Sequence, residues 1–406
     1  MQLLGILAFV VALLFSVMVH EFGHYITAKH FGMRVSEFFL GFGTKIWSTV
    51  RGETEFGIKA IPAGGYCRIE GMSPSEGLIG GERDFYRAKG SRKLIVLGAG
   101  SFLHFVLGFI FLLILFMGIG TGQVTSTIAQ ISPCVPAAKG NQACTSTSPP
   151  SPAKLVGLQA GDKILSINGK AVTNWSKDVE VIRKSPDVPL NFGISRGSAG
   201  VNGANSADAH QLEITITPEA RLVSGKTIGF IGIINKYALV RNDPVTAVKR
   251  SVSTTGSFIS SSFKSLLSLP SKVPELWAQT VGGKARDPQG LVGIVGIARV
   301  SGEAVGSAKL SLSERFATFL LIMASLNIFV GIFNLLPLLP LDGGHMAVAI
   351  ADELRAFIAR LRGRPRPRAI DVAVLTPVTL VVFVLLAGLT LLLLVADIVN
   401  PISLNM

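Results

Sequence analysis

Four stretches without a charged residue, 1–19, 94–120, 316–341 and 372–395, are each long enough to cross the hydrocarbon core of a bilayer. A chain in that medium must satisfy its own backbone polar groups, so each stretch is expected to be a helix. The fold class that follows is a polytopic α-helical membrane protein with four transmembrane helices. A mean hydropathy of +0.52 agrees with it, and the long polar region between the second and third stretches leaves room for something soluble. The first stretch is not read as a cleaved signal. It lacks a basic leader and a small-residue cleavage site, and cleavage near it would discard the residues considered next.

That first stretch ends in His20-Glu21-Phe22-Gly23-His24. On a helix, residues four apart share a face, so His20 and His24 can reach one metal ion while Glu21 lies close by. Hydrolysis at such a centre needs neutral nitrogen ligands, an open coordination position, and a carboxylate that takes a proton from water and passes it to the leaving amine. Ionisable groups inside a membrane span are costly, which makes these three a functional site by default. Two ligands leave a tetrahedral zinc ion incomplete. Asp342, at the end of the third uncharged run in Asn334-Leu-Leu-Pro337-Leu-Leu-Pro340-Leu-Asp342-Gly343-Gly344, is the expected third. The prolines interrupt the helix there, and the glycine pair permits a sharp turn.

HExxH in a first span and NxxPxxxLDGG in a late one together resemble the site-2 protease family of intramembrane zinc metalloproteases, closest to bacterial, actinobacterial members. The resemblance implies Zn2+ held by His20, His24 and Asp342, with Glu21 as the catalytic base. It implies for Asn334 a role in orienting substrate or stabilising the oxyanion. The sequence departs from the family at the second span: relatives carry Gly-Pro followed shortly by Asn, where Gly100-Ser101-Phe102-Leu103-His104 stands here. His104 has two readings, contact with the active site or a hydrogen bond between helices, of which the second is favoured for a lone histidine, and neither it nor His345 is given a role.

The formal charge of +13 could suggest nucleic acid, but its location excludes that class. Eleven lysines and arginines fall within 29–93, and six arginines within 355–368. The positive-inside rule makes both loops cytoplasmic, and four spans then place both termini and the region 121–315 outside the cytoplasm of the cell membrane. His20, Glu21, His24 and Asp342 all fall at cytoplasmic span ends.

The expected layout is a first transmembrane helix over 1–30, a cytoplasmic loop over 31–93, a second helix over 94–120 and a PDZ-like α+β domain over 124–237. An amphipathic outside region over 238–315 follows, then a third helix over 316–345, an arginine-rich loop over 346–371 and a fourth helix over 372–396. Within the first loop, 37–47 is apolar enough to dip into the membrane interface. Thr54–Ile69 reads as a β-hairpin punctuated by Pro62 and Gly64-Gly65. The stretch 56–66 resembles the family's membrane-associated β-element, so Gly64, Gly65 and Tyr66 are candidates for an edge against which an extended substrate pairs.

The outside domain is expected because Gly157-Leu-Gln-Ala-Gly161-Asp162-Lys-Ile-Leu-Ser-Ile167-Asn168-Gly169 resembles the bacterial PDZ signature. Gly161-Asp162 leads into an alternating strand, Lys163–Ile167, and Asn168-Gly169 makes a hairpin turn. The closing strands are placed at 212–216 and 227–234, with a Gly/Ala/Ser/Asn-rich loop at 196–211. Residues 245–269 show helical spacing of apolar residues, and 289–297 resemble a glycine-rich segment of relatives. Of three cysteines, Cys67 is cytoplasmic and reduced, whereas Cys134 and Cys144 lie outside, where a disulfide between them is expected.

The resemblance implies regulated intramembrane proteolysis. Its partners are the lipid bilayer, a single-span membrane substrate of the anti-sigma-factor kind, and an upstream site-1-type protease that trims the substrate first. Two alternatives are a catalytically inactive PDZ scaffold and an ion-binding transporter. Glu21, the residue an inactive relic would most readily lose, is retained, and there is no internal repeat of spans such as a transporter would carry.

Overall fold

The computed structural model describes residues 2–74, 81–135, 144, 148–197, 210–223, 226–287 and 290–402. Half of the polar stretch at 132–153, most of the loop at 196–211, and Gln289 lie outside the described residues. The chain divides into two compact units: Met1–Gly120 with Arg241–Met406, and Thr121–Val240.

The first unit opens with α1 (Gln2–His30). Leu3, Leu7, Val11 and Phe15 recur every fourth residue and are exposed, while Phe9, Ser16, His20, Gly23 and His24 are buried. One face therefore suits lipid and the other packs inward. The next two elements, β1 (Val35–Arg51) and β2 (Thr54–Ile69), pair with each other, turning at Gly52, whose φ is +63°. This corrects the expected hairpin: 37–47 belongs to a strand paired with 54–69, and the turn is at Gly52-Glu53 rather than at Pro62 or Gly64-Gly65. Phe38 has both Cys67 and Phe56 as partners, so the first part of β1 lies between the two ends of a bent β2. Lys29 (2.5 Å) and Arg83 (2.7 Å) both reach the Glu53 carboxylate and tie the turn to the end of α1. These two cations hold the Glu53 pKa down to about 2. Helix α2 (Gly90–Leu113) starts four residues before the uncharged run and continues as a π-helical stretch to Ile119.

The second unit begins with β3 (Thr121–Ile131), followed by α3 (Pro152–Leu155), β4 (Lys163–Ile167), β5 (Lys170–Ala171) and α4 (Trp175–Arg183). It closes with β6 (Leu190–Arg196), β7 (His210–Ile216), β8 (Glu219–Val223), β9 (Lys226–Phe230) and β10 (Ile233–Val240). One sheet has the order β10-β3-β4-β6-β7, with β5 on β4, and β8-β9 form a separate pair. Ile128, Ile164, Phe192, Ile194 and Ile216, each nearly inaccessible, form its core with Trp175 and Ile182 of α4. Asn168 and Gly169 take positive φ (50° and 75°), as the β4–β5 turn requires. The single closing strand expected over 227–234 is two strands. Gly232 breaks it with φ +83°, where a Cβ would meet Ser151 at 2.4 Å. Cys134 and Cys144 are joined by a disulfide, with their Cα atoms 5.8 Å apart.

The chain returns to the first unit with α5 (Pro244–Thr280), capped by Asp243, whose side chain accepts from Thr246 N. It is longer than the amphipathic segment expected at 245–269 and carries Pro270 and Pro274 within it. Helix α6 (Ile294–Gly306) packs so closely on α1 that a Cβ on Gly5 would meet Val305 at 2.8 Å. A capping box of Ser311 and Glu314 starts α7 (Leu312–Asn334). The third span ends at Asn334, because Pro337 and Pro340 cannot continue it. Asp342 instead opens a new helix, α8 (Asp342–Leu361), within what had been expected as the end of a span and a plain arginine-rich loop. A short 3-10 turn at Val372–Leu375 leads into α9 (Thr376–Val399). Its buried Asp397 pairs with Arg286 at 3.1 Å and accepts from Gly296 N at 2.8 Å. Among the described residues, four helical stretches, Gln2–His30, Gly90–Ile119, Leu312–Asn334 and Val372–Val399, are long and apolar enough to cross a membrane.

Candidate active site

The site is assembled by α1, α2, the α7–α8 turn and β2. His20 and His24, one turn apart on α1, bring their Nε2 atoms to 3.1 Å of each other. Asp342 Oδ2 lies 3.2 Å from His20 Nε2 and 3.3 Å from His24 Nε2. Asp342 arrives there because the two glycines after it fold tightly on the preceding turn. A Cβ on Gly343 would meet Leu335 O at 2.3 Å, and one on Gly344 would meet Leu339 N at 2.5 Å.

Helix α2 closes on the same place at glycine. A Cβ on Gly23 would stand 2.7 Å from Ala99 O, and one on Gly100 would meet His20 Cε1 at 2.5 Å and His24 Nε2 at 2.6 Å. This approach lets His24 Nδ1 pair with Val96 O at 2.8 Å. With the Nδ1 proton donated to that carbonyl, the Nε2 lone pair is left facing Asp342.

Tetrahedral zinc with ligand bonds of about 2.0–2.1 Å sets its donors about 3.3–3.4 Å apart. The three donor atoms form a triangle with sides of 3.1, 3.2 and 3.3 Å. Asp342 Oδ2 is buried with no hydrogen-bond donor, so a carboxylate oxygen and imidazole nitrogens face one another as acceptors. The donor set therefore fits a metal ion, and His20, His24 and Asp342 form such a group.

Glu21 shares a cavity of about 350 Å³ with His24, Asp342 and residues 66–69 of β2. Gly65 lies directly against α1: a Cβ there would meet Met18 Sδ at 2.8 Å and Glu21 Cγ at 3.6 Å. Tyr66 lines the cavity, and its hydroxyl is hydrogen-bonded to Glu37 and Lys59. Gly64, at φ +148°, packs on Phe42. Cys67 also lines the cavity, and burial pushes its thiol pKa well up. Asn334 ends α7 half-buried and forms no hydrogen bond with His20, Glu21, His24 or Asp342.

Both readings of His104 hold: its ring centroid lies 4.9 Å from that of His20, and it bonds to a neighbouring helix. Its Nδ1 is 2.9 Å from Asn327 Oδ1, and Asn327 Nδ2 donates to Met323 O at 2.8 Å. Asn327 is absent from the expected site residues, and Gly100 enters there only as the start of the segment that departs from the family. The available signal was the glycine pair Gly98 and Gly100 on a helix that must come close to two histidines.

The profile of peptidase family M50 matches residues 8–385. The chain is 34% identical over 407 residues to the zinc metalloprotease Rip1 of Mycobacterium tuberculosis H37Rv, covering 98% of each protein. It is 33% identical over 420 residues to Rip1 of Mycolicibacterium smegmatis, again covering 98% of each. With the regulator of sigma-E protease RseP of Salmonella typhimurium it shares 27% over 435 residues, covering 86% of this chain and 90% of that protein. Match and site agree in kind, and this chain belongs to peptidase family M50, the zinc metalloproteases of the site-2 type.

Proposed function

We propose that this protein hydrolyses a peptide bond within the membrane-spanning segment of a single-span protein. The carrying observation is the donor triangle of His20, His24 and Asp342, two of whose members, His24 and Asp342, share a cavity with Glu21 against strand β2. His20, His24 and Asp342 hold zinc, which when bound supplies Lewis-acid polarisation and lowers the pKa of the attacking water. Glu21 takes the proton from that water and delivers it to the departing amine nitrogen as the C–N bond breaks. A helical substrate hides its carbonyls in its own hydrogen bonds. Pairing of an unwound stretch with β2 at Gly64, Gly65 and Tyr66 presents one carbonyl to the site. Asn334 is assigned to orienting the substrate or stabilising the oxyanion.

The spans run so that the basic loops and the site face the cytoplasm, with both termini and Thr121–Val240 outside. That second unit is a PDZ-like domain acting as a filter that excludes substrates with bulky outer domains. Substrates are regulatory proteins of the anti-sigma-factor kind, already trimmed by a site-1-type protease. The name of the Salmonella relative supports this class. A groove of about 530 Å³ lined by Trp175, Val179, Ile182, Phe230, Arg183 and Arg221 favours a second reading of the domain, capture of a trimmed substrate's new C-terminus.

The test is cleavage of a single-span substrate by protein reconstituted in liposomes. Glu21→Gln is expected to lower the rate by about 10²-fold or more while zinc content and fold persist. Turnover within about tenfold of the parent removes Glu21 as the base.

A further inference from the structure

A second cavity, of about 370 Å³, opens where the α2 and α9 spans begin, between residues 86–93, α8 and residues 366–369. Arg87, Lys89, Lys93 and Arg366 line it, against the single carboxylate of Asp352. Asp352 Oδ1 already accepts from Ile370 N at 2.8 Å and faces Arg355 at 3.6 Å. Arg366 is fixed at the wall by Glu353 (2.7 Å), which also accepts from Gly90 N at the start of α2 (3.1 Å).

Lys93 sets this cavity apart from an ordinary basic surface. It is 7% exposed. Among the described residues it has neither an ion pair nor a hydrogen bond, and its ammonium sits 5.9 Å from the Phe85 ring centroid. The nearby carboxylates of Asp352 and Glu353 lie beyond ion-pair distance and are already engaged by Ile370 N, Gly90 N and Arg366, so an anion in the cavity can accept directly from this ammonium.

We propose that this cavity binds the phosphate of an anionic phospholipid headgroup. Its depth is that of headgroups, because it lies at the first residues of two spans. Arg360, Arg362, Arg364 and Arg368 on the adjoining segment add an attractive field for such lipids. Asp352 is on α8, the helix that begins with Asp342, ten residues or about 15 Å away along its axis. A bound lipid therefore steadies the helix that presents the third metal ligand.

The experiment measures lipid retained by the full-length protein in native mass spectrometry, from nanodiscs of phosphatidylcholine with and without phosphatidylglycerol. The expected result is one phosphatidylglycerol held per chain. Its retention falls about fivefold or more in Lys93→Met. It falls likewise in Arg87→Gln/Lys89→Gln, whose exposed positions do not endanger folding. It falls by no more than about twofold in Arg360→Gln/Arg362→Gln, which removes equal charge outside the cavity and weakens only the long-range field. Equal loss in that last variant, or undiminished retention in the first two, overturns the site. Full displacement of the lipid by millimolar inorganic phosphate assigns the cavity to a soluble anion and overturns the lipid assignment.

Discussion

A Cβ at Gly100 would fall within 2.7 Å of three atoms of the His20 and His24 rings, and neither ring can retreat without moving its Nε2 out of the donor triangle. Gly100→Ala is therefore expected to lower both zinc content and cleavage, the latter by about 10²-fold, as displacements of this size do at reacting centres. Metal analysis beside a cleavage assay checks it, and unchanged zinc content in a folded variant contradicts the close approach of α2. The donors themselves were legible in the sequence, since two histidines at i, i+4 beside a glutamate have little other use in an apolar helix. Gly100 and the His104–Asn327 pair were not legible, because their positions depend on which helices meet, and helix contacts leave no fixed spacing in the chain.

Apolar runs mark spans well at the scale of elements, because the bilayer imposes a length and forbids charge. They mark ends poorly. Asp342 follows an uninterrupted uncharged run, yet two prolines end α7 at Asn334, and the carboxylate stands at the first residue of α8. The β1–β2 turn was likewise displaced, because Gly52-Glu53 carries a weaker turn signal than Pro62 or Gly64-Gly65. Its tether is testable by pH. The Glu53 pKa is held at about 2, below its unfolded value, by Arg83 and Lys29. Their contribution is thus complete above the unfolded carboxylate pKa of about 4.3 and is lost as pH falls toward 2. Hydrogen exchange of the turn is expected to accelerate over that window, and Glu53→Gln is expected to remove the acceleration. An acceleration retained in Glu53→Gln assigns it to another group.

The chain forms two compact units, Met1–Gly120 with Arg241–Met406 and Thr121–Val240. Pockets in a site that accepts unwound apolar segments separate similar side chains by only about 1–3 kcal/mol, so selectivity must come largely from elsewhere. Replacing Thr121–Val240 by a short linker is expected to release cleavage of untrimmed substrate if that unit is a filter. Slowed cleavage of trimmed substrate would instead support its groove as a receptor. The central claim is that side chains from α1 and α8 hold one zinc ion, and zinc stoichiometry of the purified full-length protein tests it most directly. The expected result is about one zinc per chain in the parent and in Glu21→Gln, and little in His20→Ala, His24→Ala or Asp342→Ala, since two ligands alone hold zinc weakly. Full zinc occupancy in Asp342→Ala would contradict the claim and move the third ligand elsewhere.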